Sequence, residues 1–298
     1  MRAGNFLVVL LSVIITGALA QQAAAAVIDV PPAEPQQREG RYTADEEARF
    51  NYARGIALVR QGKTAEARLA FEKSLSFQPR YVDALLGLAE MLFQLDDVEA
   101  AGKHIETALS VAPSNPDVLI SLARLRLTQG KPGDSETALL KAVEISPDMF
   151  RAHIDLADLY SVVVKQPQKA LTHYQRATTI DPKHAGAQYG LGMSLRHTGD
   201  AAGAWTAFAK ASELDQVTPL SLQALAELAL AEGQADAALD YFAQAKERDA
   251  TYAPPYYALA EVYMAEAKPD QALGELDALL KQNSGLAEAY LRRALIQD

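Results

Sequence analysis

The sequence predicts an all-α fold built from stacked helical hairpins. Three observations support this prediction: small residues recur every 34 or 35 positions, glycines recur at one turn position, and aromatic residues make up only 7% of an Ala-rich chain. Self-similarity at a period of about 20–50 residues is typical of architectures in which each unit packs against its neighbours. Many small residues and few aromatic ones suit close helix contacts better than a β-sheet.

The first twenty residues have the three-part pattern of a secretory signal peptide. Arg2 supplies a positive charge, an apolar run covers residues 6–15, and residues 18–20 form a small-residue ending. We expect cleavage after Ala20, and the alternatives are a later cut within residues 23–26 or an uncleaved membrane anchor. The chain is therefore expected to be exported, to a periplasm, with no stable membrane insertion once the signal is removed.

A linker and a helix start follow the signal. Residues 21–42 are rich in Gln, Ala and Pro without a helical apolar stripe, so we interpret them as a flexible tether. Thr43 and Glu46 have the spacing of a capping box, in which each side chain bonds to the other residue's backbone N–H at the start of a helix. The repeat domain is expected to cover residues 43–298.

Each repeat places small and large residues at fixed positions on two helical stretches. The first stretch carries one small residue per repeat, at Gly55, Ala89, Ala123, Ala157, Gly192, Ala226, Ala260 and Ala294. The second carries a large apolar residue between two small ones, except that Leu279 replaces the second small residue in the last repeat. The large residues are Phe71, Ile105, Leu139, Tyr174, Phe208, Phe242 and Leu276. Small residues let two helices approach to about 8–10 Å, and the large residue fills the space between them.

The boundaries between helical stretches are marked by glycine and proline. Four repeats hold glycine at the turn between the two stretches, where a left-handed residue can end a helix: Gly62, Gly130, Gly199 and Gly233. Four repeats close with proline, at Pro79, Pro113, Pro147 and Pro182, and the last three carry Gln216, Ala250 and Ser284 there. The fourth repeat has one extra residue.

This pattern resembles the tetratricopeptide repeat family, whose signature is the 34-residue period with these small, large and proline positions. The resemblance implies a right-handed superhelical solenoid of about seven helix-turn-helix repeats plus a C-terminal capping helix. The repeats are expected at residues 48–81, 82–115, 116–149, 150–184, 185–218, 219–252 and 253–286, with the cap at 287–298.

The resemblance also implies a concave groove that binds a protein or peptide partner. In the family, the fifth, ninth and twelfth positions of each first helix line this groove. The candidate partner-binding residues are Tyr52, Ile56, Leu86, Glu90, Phe93, Arg124, Asp158, Tyr189, Met193, Arg196, Glu227, Tyr257, Glu261 and Met264, and Ile120, Ile154 and Gln223 share their positions. Aromatic and Met residues beside single charges suit a peptide or helix with apolar anchors, and Glu227 and Glu261 are expected to receive a basic group of the ligand.

The sequence favours a scaffold without catalytic residues, metal or cofactor. The chain has no cysteine, and its five histidines form no H-E-x-x-H motif. Gly190-x-Gly192 lies within a first helix rather than after a strand, so we do not interpret it as a phosphate loop. The net charge of −10 argues against nonspecific nucleic-acid binding.

Exported members of the family often serve envelope assembly, secretion or maturation machines, so the resemblance implies a role of this class. Two alternatives remain open from the sequence. The first is a self-assembling structural repeat protein. The second is an enzyme in which distant groove carboxylates form an acid–base pair.

Overall fold

The computed structural model describes residues 42–297, and every regular element in this part of the chain is helical. The signal peptide expected at residues 1–20 and the tether expected at residues 21–42 lie outside the described residues, except for Tyr42. The all-α repeat fold is confirmed. The chain divides after Val164 into an N-terminal and a C-terminal unit.

The N-terminal unit is a series of helical hairpins in chain order. Its helices are α1 (Ala44–Arg60), α2 (Thr64–Phe77), α3 (Val82–Gln94), α4 (Val98–Val111), α5 (Pro116–Thr128), α6 (Pro132–Ile145) and α7 (Phe150–Asp158). Helix α1 starts as expected, because Thr43 N donates to Glu46 Oε2 at 2.8 Å and Glu46 N donates to Thr43 Oγ1 at 3.3 Å. These reciprocal bonds satisfy backbone donors that the first helical turn leaves unpaired.

The C-terminal unit repeats the same hairpin arrangement. Its helices are α8 (Pro167–Ile180), α9 (Ala185–Thr198), α10 (Ala201–Leu214), α11 (Leu220–Ala231), α12 (Ala235–Arg248), α13 (Pro254–Ala265), α14 (Pro269–Gln282) and α15 (Ala287–Gln297). No helix of the described residues is both long enough and apolar enough to cross a bilayer.

The extra residue of the fourth repeat is accommodated as a π-helical turn. This turn covers Leu159–Val164 and directly continues α7. A single inserted residue that would rotate the following side chains off their packing face is commonly absorbed in this way.

A left-handed residue ends the first helix of every repeat, not only the four with glycine. The predicted glycines have φ between 72° and 89°. The remaining repeats have Asp96, Lys165 and Ala267 at the same position, with φ of 61°, 59° and 57°. The geometry of the turn is therefore set by the hairpin, and these three residues adopt a conformation that is unfavourable for any side chain with a Cβ.

Small residues on the first helices touch the large residues of the second helices. A Cβ on Gly55 would lie 2.5 Å from the Phe71 ring, and one on Gly192 would lie 2.6 Å from the Phe208 ring. Gly190 packs in the same way against the ring of Tyr174. The Gly-x-Gly pair is thus a packing site within α9.

The connection between α10 and α11, where the closing proline is missing, is held by Arg248 of α12. Its guanidinium donates to the carbonyl oxygens of Ser212, Asp215 and Thr218 at 3.1, 2.7 and 3.2 Å, and to Ser212 Oγ at 2.9 Å. The side chain thus fixes the connection in the repeat whose closing proline is replaced by Gln216.

Candidate partner-binding faces

The predicted site residues all lie on the first helices of their hairpins and fall into two sets, one in each unit. The N-terminal groove face comprises Tyr52, Ile56, Leu86, Glu90, Phe93, Arg124 and Asp158. The C-terminal groove face comprises Tyr189, Met193, Arg196, Glu227, Tyr257, Glu261 and Met264. The two faces differ in how far their side chains are already engaged within the chain.

The apolar residues of the N-terminal groove face are packed into their own unit. The Tyr52 ring lies 5.9 Å from the Phe71 ring and 5.4 Å, edge to face, from the Tyr81 ring. Burial, followed by the charge of Asp83, raises the pKa of the Tyr52 hydroxyl above its usual range. Ile56 and Phe93 pack against the same core cluster. These side chains therefore belong to the hydrophobic core as well as to the N-terminal groove face.

The charges of the N-terminal groove face form a largely buried pair. The Arg124 guanidinium donates to the Glu90 carboxylate, and their side chains are 19% and 11% exposed. The same guanidinium lies 4.4 Å from the centroid of the Phe93 ring. A charged pair with so little access to water exists only because each partner neutralises the other.

A second ionisable pair lies on α7. Arg151 Nε is 3.9 Å from Asp155 Oδ2, too far for a hydrogen bond. Burial raises the pKa of Asp155, and the charges of Arg151 and Arg124 act in the opposite direction. Asp158, the remaining predicted residue of this face, is partly buried at the end of α7, directly before the π-helical turn.

On the C-terminal groove face, Glu227 already has a cation. Arg196 donates to Glu227 Oε2 at 2.6 Å, and Gln223 Nε2 donates to Glu227 Oε1 at 2.9 Å. Tyr189 and Met193 pack against the core cluster beneath, with the Tyr189 ring 5.6 Å from the Phe208 ring. Both carboxylate oxygens of Glu227 are therefore engaged within the chain.

Glu261 is engaged in the same manner by the capping helix. Arg292 on α15 donates to Glu261 Oε1 at 2.5 Å and to Glu288 Oε1 at 2.7 Å. Its guanidinium also lies 4.7 Å from the centroid of the Tyr257 ring. The basic group expected from a ligand at Glu227 and Glu261 is thus provided by Arg196 and Arg292. The spacing of 31 residues between the partners is the sequence signal that would have indicated these pairs.

The C-terminal unit also exposes apolar side chains at groove positions. Met264 is 41% exposed, and Leu230, at the same position one repeat earlier, is 36% exposed. Leu291 and Leu295, at the fifth and ninth positions of α15, are 55% and 68% exposed. The sequence analysis missed Leu230, Leu291 and Leu295, although their register relative to the repeat start would have indicated them.

Comparison with known proteins gives the family. Models of the tetratricopeptide repeat match residues 52–118, 165–217 and 229–296, together more than half of the chain. The chain belongs to the tetratricopeptide repeat family.

The curated proteins that match part of this tetratricopeptide repeat chain are of different kinds. It is 29% identical over 174 residues to the peroxisomal targeting signal receptor of Komagataella phaffii, over 54% of this chain and 30% of that one. The chain spans less than a third of the length of the curated relatives it matches.

Two solved structures share the tetratricopeptide repeat fold. PilF of Pseudomonas aeruginosa aligns with a TM-score of 0.65 at 19% identity, covering 73% of this chain and 99% of that chain. PilW, a type IV pilus biogenesis factor, aligns with a TM-score of 0.62 at 20% identity, covering 70% and 96%. Family and relatives together support a protein-interaction scaffold.

Proposed function

We propose that this chain binds a protein partner through the C-terminal groove face, extended to include Leu230, Leu291 and Leu295, and that it has no catalytic activity of its own. The observation that carries the proposal is the exposure of four apolar side chains at groove positions of one unit. Burying a fully exposed side chain of this size contributes roughly 1.5–3 kcal/mol, and because these four are 36–68% exposed, each has about half of that to gain. Together they can still anchor a peptide or an amphipathic helix.

The paired charges define the kind of anchor that fits. Glu227 and Glu261 each have an arginine partner, so a ligand cation would have to displace that arginine to bind there. Exposed ion pairs of this kind contribute about 0–1 kcal/mol, so they provide little affinity and mainly frame the apolar positions. We therefore propose a partner segment with apolar anchors and few charges.

The cellular setting is part of the proposal. The signal-like pattern over residues 1–20 supports export to a periplasm, and PilW, which shares the fold, is described as a type IV pilus biogenesis factor. We propose that the partner belongs to an envelope assembly, secretion or maturation machine.

The test is capture of partners from native cell-envelope extract with three baits. They are the wild type, a Leu291→Asn, Leu295→Asn double variant, and Leu69→Asn as a matched control whose leucine is 60% exposed on α2 of the other unit. All three should fold, because none of these leucines is buried. A partner that the wild type and the control enrich, and the double variant loses, supports the proposal. A partner that all three retain contradicts it.

Self-assembly is a second candidate function, favoured by the exposure of Tyr290 and Leu291 on the last helix, at 45% and 55%. Sedimentation over a wide concentration range tests it. Self-assembly predicts a mass that rises with concentration for the wild type and stays monomeric for the double variant. A wild type that is monomeric throughout contradicts it.

A further inference from the structure

Trp205, the only tryptophan of the chain, forms the wall of a surface pocket whose lining includes none of the groove positions. The pocket has a volume of about 290 Å³ and is lined by Ala202, Trp205, Glu232 and Gln234. Trp205 lies on α10, a second helix, and its ring meets the Tyr241 ring edge to face at 5.7 Å. This contact and the core beneath fix the indole, and part of its surface remains open to the pocket.

The carboxylate that lines the pocket together with this indole has no cation partner in the part of the chain that the structure describes. Within residues 42–297, Glu232 has no Lys or Arg at ion-pair distance, and it accepts a hydrogen bond from Gln234 Nε2 at 3.0 Å. In this respect Glu232 differs from Glu227 and Glu261, which both bind arginine. An aromatic face beside an uncompensated carboxylate is an arrangement that attracts a cation.

The surrounding helix ends are compatible with a cation. The positive end of α10 is capped by Asp200, whose Oδ1 accepts from Gly203 N at 2.9 Å. The first turn of α12 carries Asp236. Glu232 follows the last turn of α11, and the carbonyl end of a helix favours positive charge.

We propose that the Trp205 pocket binds the side chain of an arginine presented by a protein partner. The planar guanidinium stacks on the indole and donates to the Glu232 carboxylate, a combination that a lysine ammonium satisfies less well. The pocket is shallow, and its volume lies just below the range of small-molecule sites, so it has room for a single side chain laid against the indole rather than for an enclosed ligand. The pocket shares no lining residue with the C-terminal groove face, and this proposal does not depend on the function proposed for that face.

The experiment follows the indole N–H signal of Trp205 in a ¹⁵N–¹H NMR spectrum of the full chain. A single tryptophan makes its assignment unambiguous. The probe is N-acetyl-arginine amide, titrated at constant ionic strength, and its neutral counterpart is N-acetyl-citrulline amide, which has almost the same shape. Matched variants are Glu232→Gln at the pocket and Glu106→Gln on α4 of the N-terminal unit, both at exposed carboxylates.

The arginine probe should shift the indole signal saturably in the millimolar range, and the citrulline probe should give less than about a fifth of that affinity, since one exposed charge contact contributes about 1 kcal/mol. Glu232→Gln should weaken arginine binding about fivefold, and Glu106→Gln should leave it unchanged. Equal shifts with both probes, no saturable shift, or equal weakening by both variants would overturn the proposal.

Discussion

The two groove faces occupy equivalent positions of the repeat motif. Their side chains nevertheless differ in how far they are packed and paired within the chain. On the N-terminal face the Glu90–Arg124 pair is nearly buried, and the aromatic residues are packed into the core. On the C-terminal face the Arg196–Glu227 pair is 30% and 42% exposed, and Leu and Met side chains reach solvent. The comparison shows that a shared repeat register does not determine whether a face is available to a partner.

Inside the repeats the two units are alike. Gly55 meets Phe71 in the first as Gly192 meets Phe208 in the second, at nearly the same distance. The packing positions therefore produce the same hairpin in both units, whereas the side chains at the groove positions differ between the units.

The largest expected effect is a difference in lost stability between variants of the two ion pairs. Arg124→Met leaves the Glu90 carboxylate nearly buried and unpaired, which should cost about 2–3 kcal/mol, whereas Arg196→Met should cost less than about 1 kcal/mol because Glu227 stays hydrated. Hydrogen exchange of α3 and α5 measures the first, and urea unfolding followed by Trp205 fluorescence measures the second. Equal losses in the two units would contradict the distinction between the faces.

The next test asks whether the interiors are as similar as the contacts indicate. Gly55→Ala and Gly192→Ala should each destabilise the chain by about 1–3 kcal/mol, because the added methyl group overlaps an aromatic ring. Gly274→Ala is the matched control: nothing lies within 4 Å of its added Cβ, so it should stabilise the helix by up to about 1 kcal/mol. Urea unfolding of all three measures these changes, and a harmless Gly192→Ala would refute the packing role.

A smaller change, a gain in stability, is expected at two left-handed turn residues, one in each unit. Asp96→Gly and Ala267→Gly should each raise stability by about 0.5–1 kcal/mol, because glycine adopts positive φ without steric cost. Ala265→Gly, in the last turn of α13, should lower it by a similar amount. Thermal unfolding midpoints measure all three. A loss at Ala267 would mean that the turn is not strained.

The smallest effect concerns pH and the N-terminal unit alone. Burial raises the pKa of Asp155 in the folded chain, so folding favours its protonated form. Its contribution to stability is present below the unfolded pKa and is lost as pH rises through the folded pKa. Asp155→Asn should therefore stabilise the chain more near neutral pH than near about pH 4. Unfolding free energies of both chains at the two pH values check this, and a constant difference would contradict it.

The hairpin positions could be predicted from the sequence because each follows from a local or periodic constraint. The capping box at Thr43, the glycine turns and the Phe71 and Phe208 packing positions require only the repeat register. The positive φ of Lys165 and Ala267 could not be predicted, because neither residue prefers this conformation and the turn geometry overrides their preference. The role of Arg248 could not be predicted either, because the carbonyl oxygens that it binds lie in a connection more than thirty residues away.

What the sequence by itself determined is the all-α repeat architecture and the register that assigns groove positions, since a 34-residue period imposes one packing solution on every unit. Only the tertiary structure decided which side chains at these positions are exposed and unpaired. Glu227 and Glu261 resemble free docking charges until Arg196 and Arg292 are brought beside them. Conversely, Glu232, which lines the pocket with Trp205, has no Lys or Arg partner within residues 42–297. Electrostatic pairing and exposure depend on distances between residues remote in sequence, and folding alone sets those distances.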